Sequence, residues 1–139
     1  MSIIPSKETY QALLVAVKTS KTAPKTHKLA VMAHYHLPEG KVAQIAVFVS
    51  YETSVPVDTI SRIMFFESQY SETAYHLNSD KSFDSGLFQI NSRHIPEAKK
   101  MGLDIVNNPD DNVSFAIYLI KLNGLRDWNS SKSKWQLST

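Results

Sequence analysis

The sequence predicts an α+β domain, mainly helical, with one small β-hairpin set beside the end of a helix. Three observations carry this. Apolar residues recur at i, i+3, i+4, i+7 in several separate stretches. One aperiodic, turn-rich stretch lies between residues 75 and 84. No linker, repeat or low-complexity segment interrupts the 139 residues. That length suits one domain with its own core and is short for two. The expected organisation is a single domain over residues 1–139, with a helical extension at 1–39 and a core carrying the chemistry at 40–139. A content of 42% hydrophobic and 20% charged residues is that of a globular protein.

Tyr10, Leu13, Leu14 and Val17 fall at helical spacing after Ser6, a capping residue, and predict a helix over roughly residues 7–18. A polar, basic loop broken by Pro24 follows, then a second helical piece holding Leu29, Met32 and Ala33. Val42, Ile45, Ala46 and Val49 predict a third helix. Pro56 suits the first turn of a fourth. On that fourth helix Ile60, Ile63, Met64 and Glu67 share one face, so the glutamate continues an apolar stripe.

Asn78, Ser79, Asp80 and Lys81 are turn residues between Tyr75-His76-Leu77 and Ser82-Phe83-Asp84, and predict a short hairpin. Ser85 and Gly86 break the chain again. A short helix is expected from Pro96 to Met101, ended by Gly102. Asn108, Pro109, Asp110 and Asp111 combine a cap, a proline in the first turn and acids at the positive end of a helix dipole. Val113, Ala116, Ile117 and Ile120 form the stripe of that helix, and Gly124 is its natural stop. One more short helix is expected between Trp128 and Trp135.

Several chemistries are excluded. The chain has no cysteine, hence no disulfide, thiolate metal site or cysteine nucleophile. His34 and His36 are the only close histidine pair, in a stretch of helical character that splays them apart, so no metal is expected. There is no Walker loop, dinucleotide fingerprint or G-x-S-x-G elbow. A net charge of +2 and a pI of 8.8 argue weakly for a polyanionic partner. The lysines concentrated in residues 1–28 read as a solvated face, and no nucleic acid is expected. No stretch approaches the roughly 20 apolar residues that span a bilayer. The first 17 residues, interrupted by Pro5, Lys7 and Glu8, do not read as a signal peptide, so synthesis in a cytoplasm is expected.

Paired carboxylates remain. Glu67 lies on an apolar stripe, where desolvation favours the protonated form that a general acid requires. Asp84 follows across the predicted hairpin, which bends the chain back toward the helix end. Two carboxylates in unlike surroundings can divide the roles of acid and base, as cleavage of a glycosidic bond requires. A separation of roughly 5–5.5 Å would suit a retaining nucleophile, and about 6.5–9.5 Å an inverting base.

The residues around these acids resemble a known family. Glu67-Ser68, Asn78, Ser82, Asp84 and the run Gly86-Leu87-Phe88-Gln89-Ile90-Asn91 are similar to the core of animal-type lysozymes and of small lytic transglycosylases from secretion and conjugation systems. Downstream, Ile95-Pro96, Gly102-Leu103, Asn108-Pro109 and Asn112-Val113 follow the transglycosylase layout. The similarity covers roughly residues 40–128. The Tyr-Asn-Ala-Gly segment that many transglycosylases carry is replaced by Gly124-Leu125-Arg126-Asp127-Trp128.

The resemblance implies a lysozyme-like fold and cleavage of the β-1,4 bond between N-acetylmuramic acid and N-acetylglucosamine in peptidoglycan. Glu67 would be the acid, and Asp84 the stabiliser of positive charge or the nucleophile. Asn78, Gly86, Gln89 and Asn91 would bind sugar, and Ser68 would orient Glu67. No cofactor is implied. Action on the cell wall by a chain made in a cytoplasm points to a phage virion or lysis protein, or to export with a secretion apparatus. A non-catalytic glycan-binding or structural virion protein on the same scaffold is the alternative.

Overall fold

The computed structural model describes residues 39–136. The two helices expected upstream, at residues 7–18 and around Leu29 to Ala33, lie outside the described residues. Helix α1 runs over Glu39–Thr53 and α2 over Val57–Ser68. Strands β1 (Tyr75–Leu77), β2 (Phe83–Ser85) and β3 (Ile90–Asn91) follow, then a 3-10 turn at Ser92–His94 and α3 at Ile95–Lys100. Helix α4 covers Pro109–Asn123, and the described chain closes with a 3-10 stretch at Arg126–Ser131 and α5 at Lys132–Trp135. The architecture is mainly helical with a small antiparallel sheet.

Helix α1 packs on α2 and α4. Val42, Ile45, Ala46 and Val49 are buried as the periodicity predicts, and Ala43 and Val47 are buried as well. A helix covered on more than one face belongs to the interior. Helix α2 contributes Ile60, Ile63 and Met64, all fully buried. Pro56 is the residue just before α2 rather than part of its first turn, with a ψ of 141° that is extended. The helix ends where Gln69 and Tyr70 both take positive φ, 51° and 61°. Two left-handed residues turn the chain sharply, so α2 stops with Glu67 at its edge.

Helix α4 starts as its sequence predicts. The Asn108 side chain accepts hydrogen bonds from the Asp110 and Asp111 backbone N–H groups at 3.0 and 3.3 Å. Val113, Ala116, Ile117 and Ile120 are buried, and Gly124, with φ 66°, closes the helix.

The sheet goes further than the expected hairpin. The hairpin is present, with Tyr75 opposite Ser85, His76 opposite Asp84 and Leu77 opposite Phe83. A third strand adds to it, since Asp84 also faces Asn91 and Ser85 faces Ile90. Gly86 at φ 81° and Gln89 at φ 49° reverse the chain and bring Ile90 and Asn91 alongside β2. Instead of one helix between Trp128 and Trp135, the chain forms a 3-10 stretch kinked at Trp128 (φ −109°, ψ 17°) and a separate short helix after Ser131, which leaves helical geometry at φ −104° and ψ 6°.

Among the described residues, no helix is long and apolar enough to cross a membrane.

Candidate active site

A cleft of about 310 Å³ opens between the end of α2, the sheet and the C-terminal 3-10 stretch. Glu67, Asn78, Asp84, Gln89 and Asn91 all line it. Those five residues, predicted from sequence, are brought together. Ser68 and Gly86 are not among the lining residues.

Glu67 is the next-to-last residue of α2, on the face below Ile63 and Met64, and is half-buried. Its Oε1 accepts a hydrogen bond from the Ser131 hydroxyl at 2.5 Å. Its Oε2 has no hydrogen-bond partner among the described residues. Burial pushes the Glu67 carboxyl above the ordinary glutamate range; the negative charge of Asp84 adds to the rise. The Ser131 hydrogen bond and the positive charge of Lys134 oppose it, and burial wins.

Asp84 is held differently. It stands in the middle of β2, between His76 on β1 and Asn91 on β3. The Asn91 side-chain amide donates to Oδ1 at 2.9 Å, and the Asn78 amide donates to Oδ2 at 3.2 Å. Both amide nitrogens also donate to the Ser82 hydroxyl, at 3.1 and 3.2 Å. Ser82 in turn donates to Asp80 at 2.5 Å. Each asparagine therefore has both of its N–H bonds engaged in bracing the sheet wall.

Gln89 shows the same habit. Its amide nitrogen donates to the backbone carbonyls of Ala74 and Gly86 at 3.1 and 3.0 Å, tying the turn after β2 to the start of β1. The donors of these three amides thus hold the cleft together. The Asn78 and Gln89 side-chain oxygens stay free of protein donors among the described residues and can accept from a ligand.

Ser68 does not orient Glu67: its hydroxyl donates to the Met64 carbonyl at 2.9 Å, one turn back along α2. A serine inside a helix finds that carbonyl within reach, and it keeps Ser68 out of the cleft. Gly86 is buried against α4. A Cβ there would lie 2.4 Å from the side-chain carbon of Asn112. Asn112 is fully engaged, donating to the Ser85 and Ile105 carbonyls at 2.9 Å each and accepting from the Phe88 N–H at 3.2 Å. Gly86 makes room for the side chain that anchors the sheet to the helical body.

Three features in or beside the cleft carry no expectation from the sequence. Ser131 comes from the far end of the chain with no local signal. Arg93 and Asp127 form an ion pair at 3.8 Å on the rim. His94 lines the cleft with its ring against Phe115, and burial lowers its pKa, with the Arg93 charge adding to that. The run Gly86 to Asn91 points to this wall, yet nothing in the sequence singles out His94.

The C-terminal wall is latched in place. The Trp128 ring nitrogen donates to the Phe88 carbonyl at 2.8 Å, and the Trp135 ring nitrogen to the Trp128 carbonyl at 3.2 Å. Arg62 on α2, itself buried and paired with Asp58 at 2.6 Å, donates through Nε to the Trp135 carbonyl at 2.5 Å.

The chain matches the family model of the transglycosylase SLT domain over residues 47–132, a span that contains the cleft residues from Glu67 to Ser130 and also Ser131 beside Glu67. It belongs to that family, and its fold is lysozyme-like. Members of the family are lytic transglycosylases, enzymes that act on peptidoglycan. No curated protein matches the chain.

Proposed function

We propose that the protein is a lytic transglycosylase that cleaves the β-1,4 bond between N-acetylmuramic acid and N-acetylglucosamine, with Glu67 as both acid and base. One observation carries the reading: a half-buried carboxyl at the end of α2, its pKa raised by burial, opens onto a cleft with one oxygen free. Family membership supports the substrate class.

The chemistry follows from that placement. Protonated Glu67 gives its proton to the glycosidic oxygen as the bond to the muramyl anomeric carbon breaks. The positive charge that develops on the sugar is stabilised by the negative Asp84 across the cleft. Glu67, now ionised, takes the proton of the muramyl 6-hydroxyl, whose oxygen bonds to the anomeric carbon and closes a 1,6-anhydro ring. No water is consumed, and Glu67 ends as it began. Both Asp84 oxygens carry amide N–H donors, which favours an electrostatic role over nucleophilic attack. The free acceptor oxygens of Asn78 and Gln89 suit the hydroxyl and acetamido N–H groups of the sugars.

Mass analysis of muropeptides released from purified sacculi tests this. Anhydromuramic ends, lighter by one water than reducing ends, are the expected product. Reducing ends alone would make the enzyme a hydrolase. Binding of sacculi without any release would leave a glycan-binding protein.

A further inference from the structure

We propose that Ser131 is a positioning residue for Glu67, holding Oε1 and so leaving the acidic proton to Oε2, the oxygen that carries no hydrogen bond from the described residues. The proposal rests on the reading of Glu67 as acid and base.

A carboxylic acid can carry its proton on either oxygen, and only one of them is useful here. Ser131 Oγ lies 2.5 Å from Glu67 Oε1 and 3.2 Å from the Trp128 carbonyl. Its single proton can point at one of these at a time. The shorter contact is the stronger one, so the hydroxyl donates to Glu67. An oxygen already accepting at that distance is a poor seat for the acid's own proton, which is thereby left on Oε2. After proton transfer the same hydrogen bond runs to a carboxylate and becomes stronger. One contact therefore serves both strokes of the cycle without a change of rotamer.

The hydroxyl can do this only if it is fixed, and the fold fixes it from the helix it serves. Arg62 and Glu67 both belong to α2. Arg62 grips the Trp135 carbonyl, Trp135 grips the Trp128 carbonyl, and Trp128 grips Phe88 beside the sheet. Ser131 lies between the two tryptophans, 64 residues from Glu67 in sequence. The helix that presents the acid thus anchors the segment that returns to orient it. The other charges facing Glu67 are Asp84 from β2 and Lys134 from α5, and neither can select one carboxyl oxygen as a hydrogen bond does.

The test compares wild type, Ser131→Ala and Ser131→Thr in sacculus cleavage across pH, with thermal unfolding to confirm the fold. Ser131→Ala should lose roughly tenfold in kcat at nearly unchanged KM, the size expected for one charge-assisted hydrogen bond. Its alkaline limb should move to higher pH, because a contact favouring the carboxylate is gone. Ser131→Thr, which keeps the hydroxyl, should restore both. Ser131→Cys, close in size with a weak donor, carries the same contrast if the alanine variant does not fold. A folded Ser131→Ala with unchanged kcat and limb overturns the proposal, and so does a threonine variant as impaired as alanine. Glu67→Gln separates the two levels. If Glu67→Gln is inactive while Ser131→Ala behaves as wild type, only the role of Ser131 falls; if Glu67→Gln is fully active, both readings fall.

Discussion

Glu67 and Asp84 face one cleft from two differently built walls. Glu67 sits at the rim of an apolar helix with one hydroxyl on one oxygen and nothing on the other among the described residues. Asp84 sits on the middle strand of a sheet with an amide on each oxygen. The first environment raises the cost of charge and leaves a proton free to move; the second supplies donors that suit a fixed negative charge. The same functional group is left with a free oxygen on one wall and held at both oxygens on the other. Asp84 also acts across the gap, since its charge helps keep Glu67 protonated.

The largest effect should come from Glu67→Gln, which keeps shape and hydrogen-bond acceptance but cannot exchange a proton. Turnover of sacculi should fall by about 10³-fold or more, and clearing at wild-type rate would break the comparison at once. Next is Gly86→Ala, aimed at the sheet wall's anchorage. With φ 81° and Asn112 2.4 Å from the new Cβ, it should cost about 2–4 kcal/mol in denaturant unfolding. A neutral result would mean that Asn112 does not hold the sheet to α4.

Asp84→Asn should be intermediate. Its new amide would face the donors of Asn78 and Asn91, costing about 1–3 kcal/mol of stability. Activity should drop roughly ten- to a hundredfold from lost charge stabilisation. The alkaline limb should move to lower pH, because removing the Asp84 charge lowers the Glu67 pKa. A loss as complete as that of Glu67→Gln would point to covalent participation.

Smaller is the stability change in Glu67→Gln. The folded pKa of Glu67 is raised, so its contribution to stability is fully present below the unfolded pKa and is lost as pH rises through the folded one. The glutamine variant escapes that loss. Its Tm should exceed wild type at neutral pH, and the gap should close toward about pH 4. Smallest is Lys134→Gln, which should move the alkaline limb slightly upward, an effect that added salt erases.

The two walls were also unequally legible in the sequence. Helix α2 and its glutamate follow from i, i+3, i+4, i+7 spacing, and the cap at Asn108 from local chemistry, since both are decided within a few residues. The hairpin was readable from the turn at Asn78 to Lys81. Strand β3 was not, because two residues show no period and their pairing depends on backbone reversals at Gly86 and Gln89. The resemblance implies that Ser68 orients Glu67, but its hydroxyl donates to the Met64 carbonyl. Ser131 holds that position instead, through a latch of tryptophans and Arg62 that only tertiary packing creates. Asn78, Gln89 and Asn91, expected to contact sugar, line one cleft with Glu67, but their amide donors face the protein, which the sequence does not reveal.

The claim on which the account turns is that burial, outweighing the Ser131 hydroxyl and Lys134, holds Glu67 above the ordinary glutamate range. A carboxyl-carbon NMR titration of Glu67, assigned by comparison with Glu67→Gln, measures this directly. The account predicts a midpoint above that of an exposed glutamate, moving lower in Asp84→Asn and higher in Ser131→Ala. A midpoint at or below that of an exposed glutamate, unmoved by either substitution, would contradict it.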